Sequence, residues 1–154
     1  MSRSTFKSVV LTFVIIVATV LMLASAERKS TRRAINPPGS NPDAPFSNGL
    51  LVGNTLYVAG QEGLVNGKLQ PGGVVPETQA ALENIKKILE LAGMQMSDVV
   101  TATVYLADMN DFVAMSNTYK TYFPKPRPAR ATVQVARLVN DARVEISVIA
   151  VKQH

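Results

Sequence analysis

From Val99 to Leu106 the chain alternates, with Val100, Ala102, Val104 and Leu106 on one side and Thr101, Thr103 and Tyr105 on the other, as a half-buried strand requires. The period changes upstream. From Pro76 to Ala92 the apolar residues Ala81, Ile85, Ile88, Leu89 and Ala92 recur at helical spacing, with Glu83, Lys86, Lys87 and Glu90 elsewhere, and Gly93 supplies the stop. Two apolar runs, Leu50 to Val52 and Thr55 to Ala59, flank Gly53-Asn54, a pair that tolerates positive φ, and so predict a hairpin. Val65-Asn66-Gly67-Lys68 repeats that turn chemistry on a smaller scale, and Asp108 to Tyr122 predicts a second helix ended by Pro124, Pro126 and Pro128. Arg130 to Ala136 and Arg143 to Val151 complete the set as two strands joined near Asn140-Asp141.

The order β-β-(β)-α-β-α-β-β in so short a chain predicts an α+β domain, one mixed sheet with both helices on one face. In the last strand Val144, Ile146, Val148 and Ala150 share a side, opposite Glu145, Ser147, Ile149 and Val151. If the fully apolar sides face the helices, Ala131, Val133 and Val135 point toward them, and Arg130, Thr132, Glu145 and Ser147 project together from the helix-free face. Ile149 and Val151 on that face suggest burial against another subunit.

The N-terminal region follows a different pattern. Residues 9 to 24 form an uncharged apolar run after Arg3 and Lys7, and Ala24-Ser25-Ala26 follows, the three-part layout of a secretory signal cleaved after Ala26. The run is shorter than the ~20 residues that span a bilayer comfortably, although an uncleaved anchor at residues 9 to 24 remains the alternative. Residues 27 to 48, basic at first and then rich in proline, show no periodicity and are expected to form an extended, partly mobile arm before a domain at 49 to 154.

Composition narrows the chemistry. The 154 residues include no cysteine and one histidine, His154 at the end, which excludes disulfides, thiolate metal sites and a thiol nucleophile and leaves little room for a His-based triad or metal site. The net charge of +5 resides in the N-terminal part, since residues 34 to 154 hold ten bases and ten acids. A neutral domain gives little support to a nucleic-acid partner.

VAGQEG (58–63), LELAG (89–93), VTATVYLADMNDF (100–112) and above all RPARATVQVARLVNDARVEISVIAV (127–151) resemble the RidA family, also called YjgF, over about residues 36 to 152. The resemblance implies a chorismate-mutase-like fold, a homotrimer with a barrel-like centre, and ligand clefts between subunits. It also implies hydrolysis of reactive 2-imino or enamine acids to 2-keto acids and ammonia, without metal or cofactor.

By that resemblance Arg130 holds the substrate carboxylate, Glu145 orients or deprotonates water, Thr132 is a second polar group, and the backbone at Gly60 donates to the substrate. A guanidinium suits the first role because it grips a carboxylate through two parallel hydrogen bonds. A plain reading of the residues also allows Arg130 and Glu145 to be an ordinary strand-to-strand ion pair. Three positions depart from the common family pattern: Phe46 stands where many members have a tyrosine lining the cleft, Ser116 where asparagine is frequent, and Thr132 where some have cysteine. The alternative of a different class is a trimeric protein that binds small carboxylates or keto acids without turnover. Ribonuclease activity fits the residues least, given the neutral domain and the terminal histidine.

Overall fold

The computed structural model describes residues 32–152. The expected signal segment, the arm up to residue 31 and His154 fall outside them. Ten elements follow in order: β1 (Arg32–Ile35), β2 (Gly49–Val52), β3 (Thr55–Glu62), β4 (Leu64–Val65), β5 (Lys68–Leu69), α1 (Val74–Leu91), β6 (Val99–Leu106), α2 (Phe112–Tyr119), β7 (Ala129–Gln134) and β8 (Val144–Val151). Six strands form one sheet in the order β1-β2-β3-β8-β6-β7, and β4-β5 is a separate hairpin. Among the described strands only β6 and β7 pair in parallel, across the α2 crossover.

The turns form where the residues allow. Gly53 joins β2 to β3 at φ 61°, and Asn66 and Gly67, at 51° and 76°, close the β4-β5 hairpin. Helix α1 starts after Gly73, carries Pro76 in its first turn where a missing N–H breaks no helical bond, and stops at Gly93 with φ 71°. It lies across β3 and β8, and α2 packs beside it. Leu82, Ile85, Ile88 and Leu89 of α1 meet Leu56, Val104, Val144 and Ile146 of the sheet in one buried core. Glu77, also buried, is satisfied there: its Oε2 accepts the backbone N–H of Arg143 at 2.7 Å, which ties α1 to the start of β8.

Four expectations need correction. Residues 32–35, read as part of a mobile arm, are an edge strand paired with β2, because backbone pairing to a strand needs no side-chain periodicity. The second helix is shorter than 108–122: Met109–Asp111 is a single 3₁₀ turn capped by the Asp108 side chain, and regular helix begins at Phe112. Val100 is exposed and Val99 buried, since a register shift between Val99 and Thr101 breaks the simple alternation.

The fourth correction concerns the faces. Arg130 and Thr132 align with Ala102 and Val104, which are buried under the helices, so these two side chains lie on the helix side of the sheet. Ala131 and Val133 align with Thr103 and Tyr105 on the opposite side and are exposed there. The apolar stripe of β7 thus belongs to the face that no helix covers, alongside Tyr57, Ile149 and Val151. Arg130 and Glu145 point to opposite sides and form no ion pair.

Ile146 is fully buried at the middle of β8. Ile146→Ala is expected to cost about 2–5 kcal/mol of folding stability, seen as a lower midpoint in urea with an unchanged slope.

Candidate functional site

The six residues singled out from sequence separate into two groups of three. Arg130, Ser116 and Thr132 form the first, at the sheet edge beside α2. The strand β7 carries Arg130 under the helix, where its Nη2 donates to Ser116 Oγ at 3.0 Å. The guanidinium carbon lies 4.8 Å from the centre of the Tyr119 ring and 5.5 Å from that of Phe112. Aromatic faces hold a cation in place without neutralising it. Among the described residues no carboxylate pairs with Arg130, so its charge and remaining N–H groups stay available. Thr132 Oγ1 and Tyr119 Oη, both buried, have no hydrogen-bond partner among the described residues. Burial pushes the Tyr119 hydroxyl up to about 12, with Arg130 pulling the other way, so it remains a donor at neutral pH.

The second group, Phe46, Gly60 and Glu145, lines a cleft of about 440 Å³ together with Glu62, Val139 and Asn140. A register shift between Val58 and Gln61 puts a bulge in β3 at this point, and Gly60 lies in it. A Cβ on Gly60 would overlap Glu145 Oε1, so glycine is what lets the carboxylate rest on the bulge. The Gln61 side chain steadies the bulge, donating to the carbonyls of Ala59 and Gly60 at 3.1 Å each. From helix α1, Asn84 Nδ2 donates to the Leu64 carbonyl at 2.9 Å and holds the floor of the cleft.

Sequence reasoning passed over Glu62. It is the register partner of Glu145 across β3 and β8, and its Oε2 accepts from Asn140 Nδ2 at 2.7 Å. Burial raises its pKa above the ordinary 4.5; Glu145 and Glu77 add to the rise and the Asn140 hydrogen bond opposes it. Its place in VAGQEG, in the segment that carries Gly60, was the available signal. Tyr119 and Phe112, the rings beside Arg130, were also missed, and their spacing from Ser116 along one helix could have suggested them.

No group of three or more His, Cys, Asp or Glu among the described residues is arranged to hold a metal ion, and no helix among them is long and apolar enough to cross a membrane. The two halves of the candidate site are of opposite sign, cationic beside α2 and acidic at the β3 bulge.

Residues 38–152 match the family model described as Endoribonuclease L-PSP. The chain belongs to this family, the RidA or YjgF proteins. It is 51% identical over 110 residues to 2-iminobutanoate/2-iminopropanoate deaminase of Capra hircus, an alignment covering 70% of this chain and 80% of that protein. The crystal structure of the YjgF gene product from E. coli superposes with a TM-score of 0.72 at 31% identity, covering 79% of this chain and 99% of that one. A structure of E. coli TdcF with bound serine gives 0.70 at 31% identity, over 81% and 100%. The expected α+β fold with a mixed sheet is that of these relatives.

The raised pKa of Glu62 has a consequence for stability. A carboxyl that binds its proton more tightly when folded contributes fully below 4.5, and that contribution is lost as pH rises through the raised folded value. Glu62→Gln, which does not ionise, is therefore expected to gain stability relative to the parent as pH increases across this window, measured by thermal unfolding at a series of pH values.

Proposed function

We propose that this chain is a 2-imino acid deaminase, hydrolysing reactive 2-imino or enamine acids to 2-keto acids and ammonia, in clefts where the Arg130 group of one subunit meets the Glu145 cleft of the next in a homotrimer. The observation that carries the reading is the separation of an unpaired guanidinium and an acidic cleft onto opposite sides of one sheet. Neither half can serve such a substrate alone, and a neighbouring copy supplies what each lacks. The name of the goat relative, at half identity, and serine bound to TdcF support a small ligand with a carboxylate beside a nitrogen-bearing carbon. Val113 and Val139, among the most exposed apolar residues, adjoin the two halves and suit burial between subunits.

In this reading Arg130 grips the substrate carboxylate through its free N–H groups and fixes the plane of the adjacent C=N bond. Ser116 and the two rings keep the guanidinium from swinging away. Thr132 Oγ1, lacking a partner, is placed to hydrogen-bond the substrate. Water adds to the C2 carbon as Glu145 takes its proton, and the C=N electron pair moves to nitrogen. The proton held by Glu145 then passes to nitrogen, giving the hydroxyl-amine adduct; Glu145 next takes the hydroxyl proton and relays it to nitrogen as the C–N bond breaks, so that ammonia leaves and the keto C=O forms. The Gly60 backbone borders the same cleft and offers its N–H to the substrate. No oxidation occurs, so the chain's own acid, base and cation suffice.

The ribonuclease named by the family description fits this chain less well, because an acidic cleft holding Glu62 and Glu145 repels a phosphate backbone. In this reading residues 1–26 are an export signal and the reaction runs in the periplasm or the medium, with an anchor at 9–24 as the alternative. The imines would then come from extracytoplasmic amino-acid oxidation.

Two measurements test the reading. With an amino-acid oxidase generating imine and semicarbazide trapping it, the protein should divert imine to keto acid, and Arg130→Ala should lower that diversion at least about a hundredfold, the order expected when a positioning group is lost. Binding of keto acids without diversion would instead mark a non-catalytic carboxylate binder. For the intersubunit cleft, Arg130→Ala and Glu145→Gln chains, each inactive, are mixed during refolding. Random trimers should recover about a quarter of parent activity, because one in four interfaces joins an intact arginine to an intact glutamate; no recovery would put both residues in one subunit's site.

A further inference from the structure

Glu62 has no role in the mechanism above, yet it lies in the same cleft as Glu145. The two are register partners on adjacent antiparallel strands, so their Cβ atoms are about 5 Å apart on one face. Two carboxylates in that relation repel each other. Asn140 Nδ2 occupies Glu62 Oε2, whereas Glu62 Oε1 is buried with no partner among the described residues. An ionised Oε1 in that position needs a donor, and a protonated one needs an acceptor.

The cross-strand neighbour supplies an acceptor. Glu145 stands opposite Glu62 on β8, and the charge of Glu77 on α1 is near enough to add to the repulsion. Glu77 already takes the backbone N–H of Arg143 on its own Oε2. Arg143 pairs with Asp111 and Arg137 with Asp141, and no salt bridge to Glu62 or Glu145 forms among the described residues. Asn140 is held over Glu62 by a turn in which it and Asp141 both take positive φ, 57° and 58°, a conformation asparagine and aspartate tolerate better than most residues. With Asn140 donating to Oε2, a proton on Glu62 belongs on Oε1, and Glu145 is the carboxylate on the same face that can accept it.

We propose that Glu62 and Glu145 share one proton across the β3–β8 pair, Glu62 acting as a positioning residue that steadies Glu145 and leaves one of its oxygens free for water. The catalytic consequence rests on the deaminase reading; the sharing of the proton does not. With one proton present the cleft carries a single negative charge and Glu145 is oriented by a hydrogen bond. When the proton is lost the two carboxylates repel, Glu145 turns away, and the doubly charged cleft disfavours an anionic 2-imino acid. Hydrolysis should therefore decline on the alkaline side. The rise of the Glu62 pKa through burial and through Glu145 and Glu77 is of the sign this requires.

The test uses the full assembled protein labelled with ¹³C at the glutamate side-chain carboxyls and titrated by NMR. A glutamate that titrates above the ordinary range, disappears in Glu62→Gln and moves down toward 4.5 in Glu145→Gln is the expected result. A Glu62 signal titrating normally, or unmoved by Glu145→Gln, overturns the shared proton. The pH profile of kcat/KM for imine hydrolysis then tests the positioning role. The parent should show an alkaline decline that vanishes from the Glu62→Gln profile when each is scaled to its own plateau, since the amide can accept from Asn140 and donate to Glu145 at every pH. A decline at the same pH in both proteins, or loss of hydrolysis by folded Glu62→Gln at every pH, overturns that role. Absence of hydrolysis by the parent defeats the deaminase reading, while the NMR titration still decides the pair.

Discussion

The pairing of β8 between β3 and β6 is the constraint on which the site depends. Val144, Ile146, Val148 and Ala150 must face α1 to close the core, and with a period of two Glu145 then has to face away from the helices. The parallel register of β6 and β7, tied to the same core through Ala102 and Val104, commits Arg130 to the other side. A slip of one residue would exchange the faces and bury charge in place of valine and isoleucine. Hydrophobic burial therefore enforces the separation of cation and acid in one chain, at far greater cost to reverse than any ion pair between them could repay.

Separation has a chemical use. A strand arginine next to a strand glutamate on one face would neutralise it and leave neither free for a ligand. Here Arg130 rests on Tyr119 and Phe112, and among the described residues its hydrogen-bond partner is a neutral hydroxyl, that of Ser116. Aromatic faces and a hydroxyl direct a guanidinium without cancelling its charge, in contrast to the way Asp111 holds Arg143. The acidic cleft is organised on the same principle: Asn140, Gln61 and Asn84, all neutral, fix its wall, and no lysine or arginine among the described residues pairs with Glu62 or Glu145.

Much of this was legible in the sequence, and the parts that were not have identifiable causes. The β2–β3 hairpin, the β4–β5 turn and helix α1 follow from local chemistry at Gly53, Asn66-Gly67 and Gly93, where few conformations are open. Strand β1 was missed because its pairing is made by backbone groups, and the shifts at Val99–Thr101 and Val58–Gln61 because a bulge alters the period without altering composition. The orientation of β7 was misread for a more instructive reason. The apolar character of Ala131, Val133 and Val135 pointed to packing under the helices, but the parallel register of β7 with β6 sets Ala131 and Val133 on the helix-free face, and that register is not written in composition. The individual site residues were found and their grouping was not, since grouping depends on register. Glu62 escaped because one carboxylate in a turn segment means little until its cross-strand partner is known.

The departures at Phe46, Ser116 and Thr132 can be weighed in the same terms. None adds or removes a charge; each changes a hydrogen-bonding group or an apolar wall around Arg130 or the cleft. Ser116 still accepts from Arg130 Nη2 at 3.0 Å, so the shorter side chain keeps the contact that aims the guanidinium. Phe46, 60% exposed, keeps an aromatic surface at the cleft without a hydroxyl to donate. Thr132 Oγ1 remains a buried polar atom without a partner, beside a cation. In the proposed reading Arg130 and Glu145, assigned to the carboxylate and to water, are both present, and the three departures change the polarity and hydrogen bonding around them. On that reading, changes of this kind bear on which 2-imino acid is accepted, because a polar group added to or removed from a site alters its discrimination between substrates.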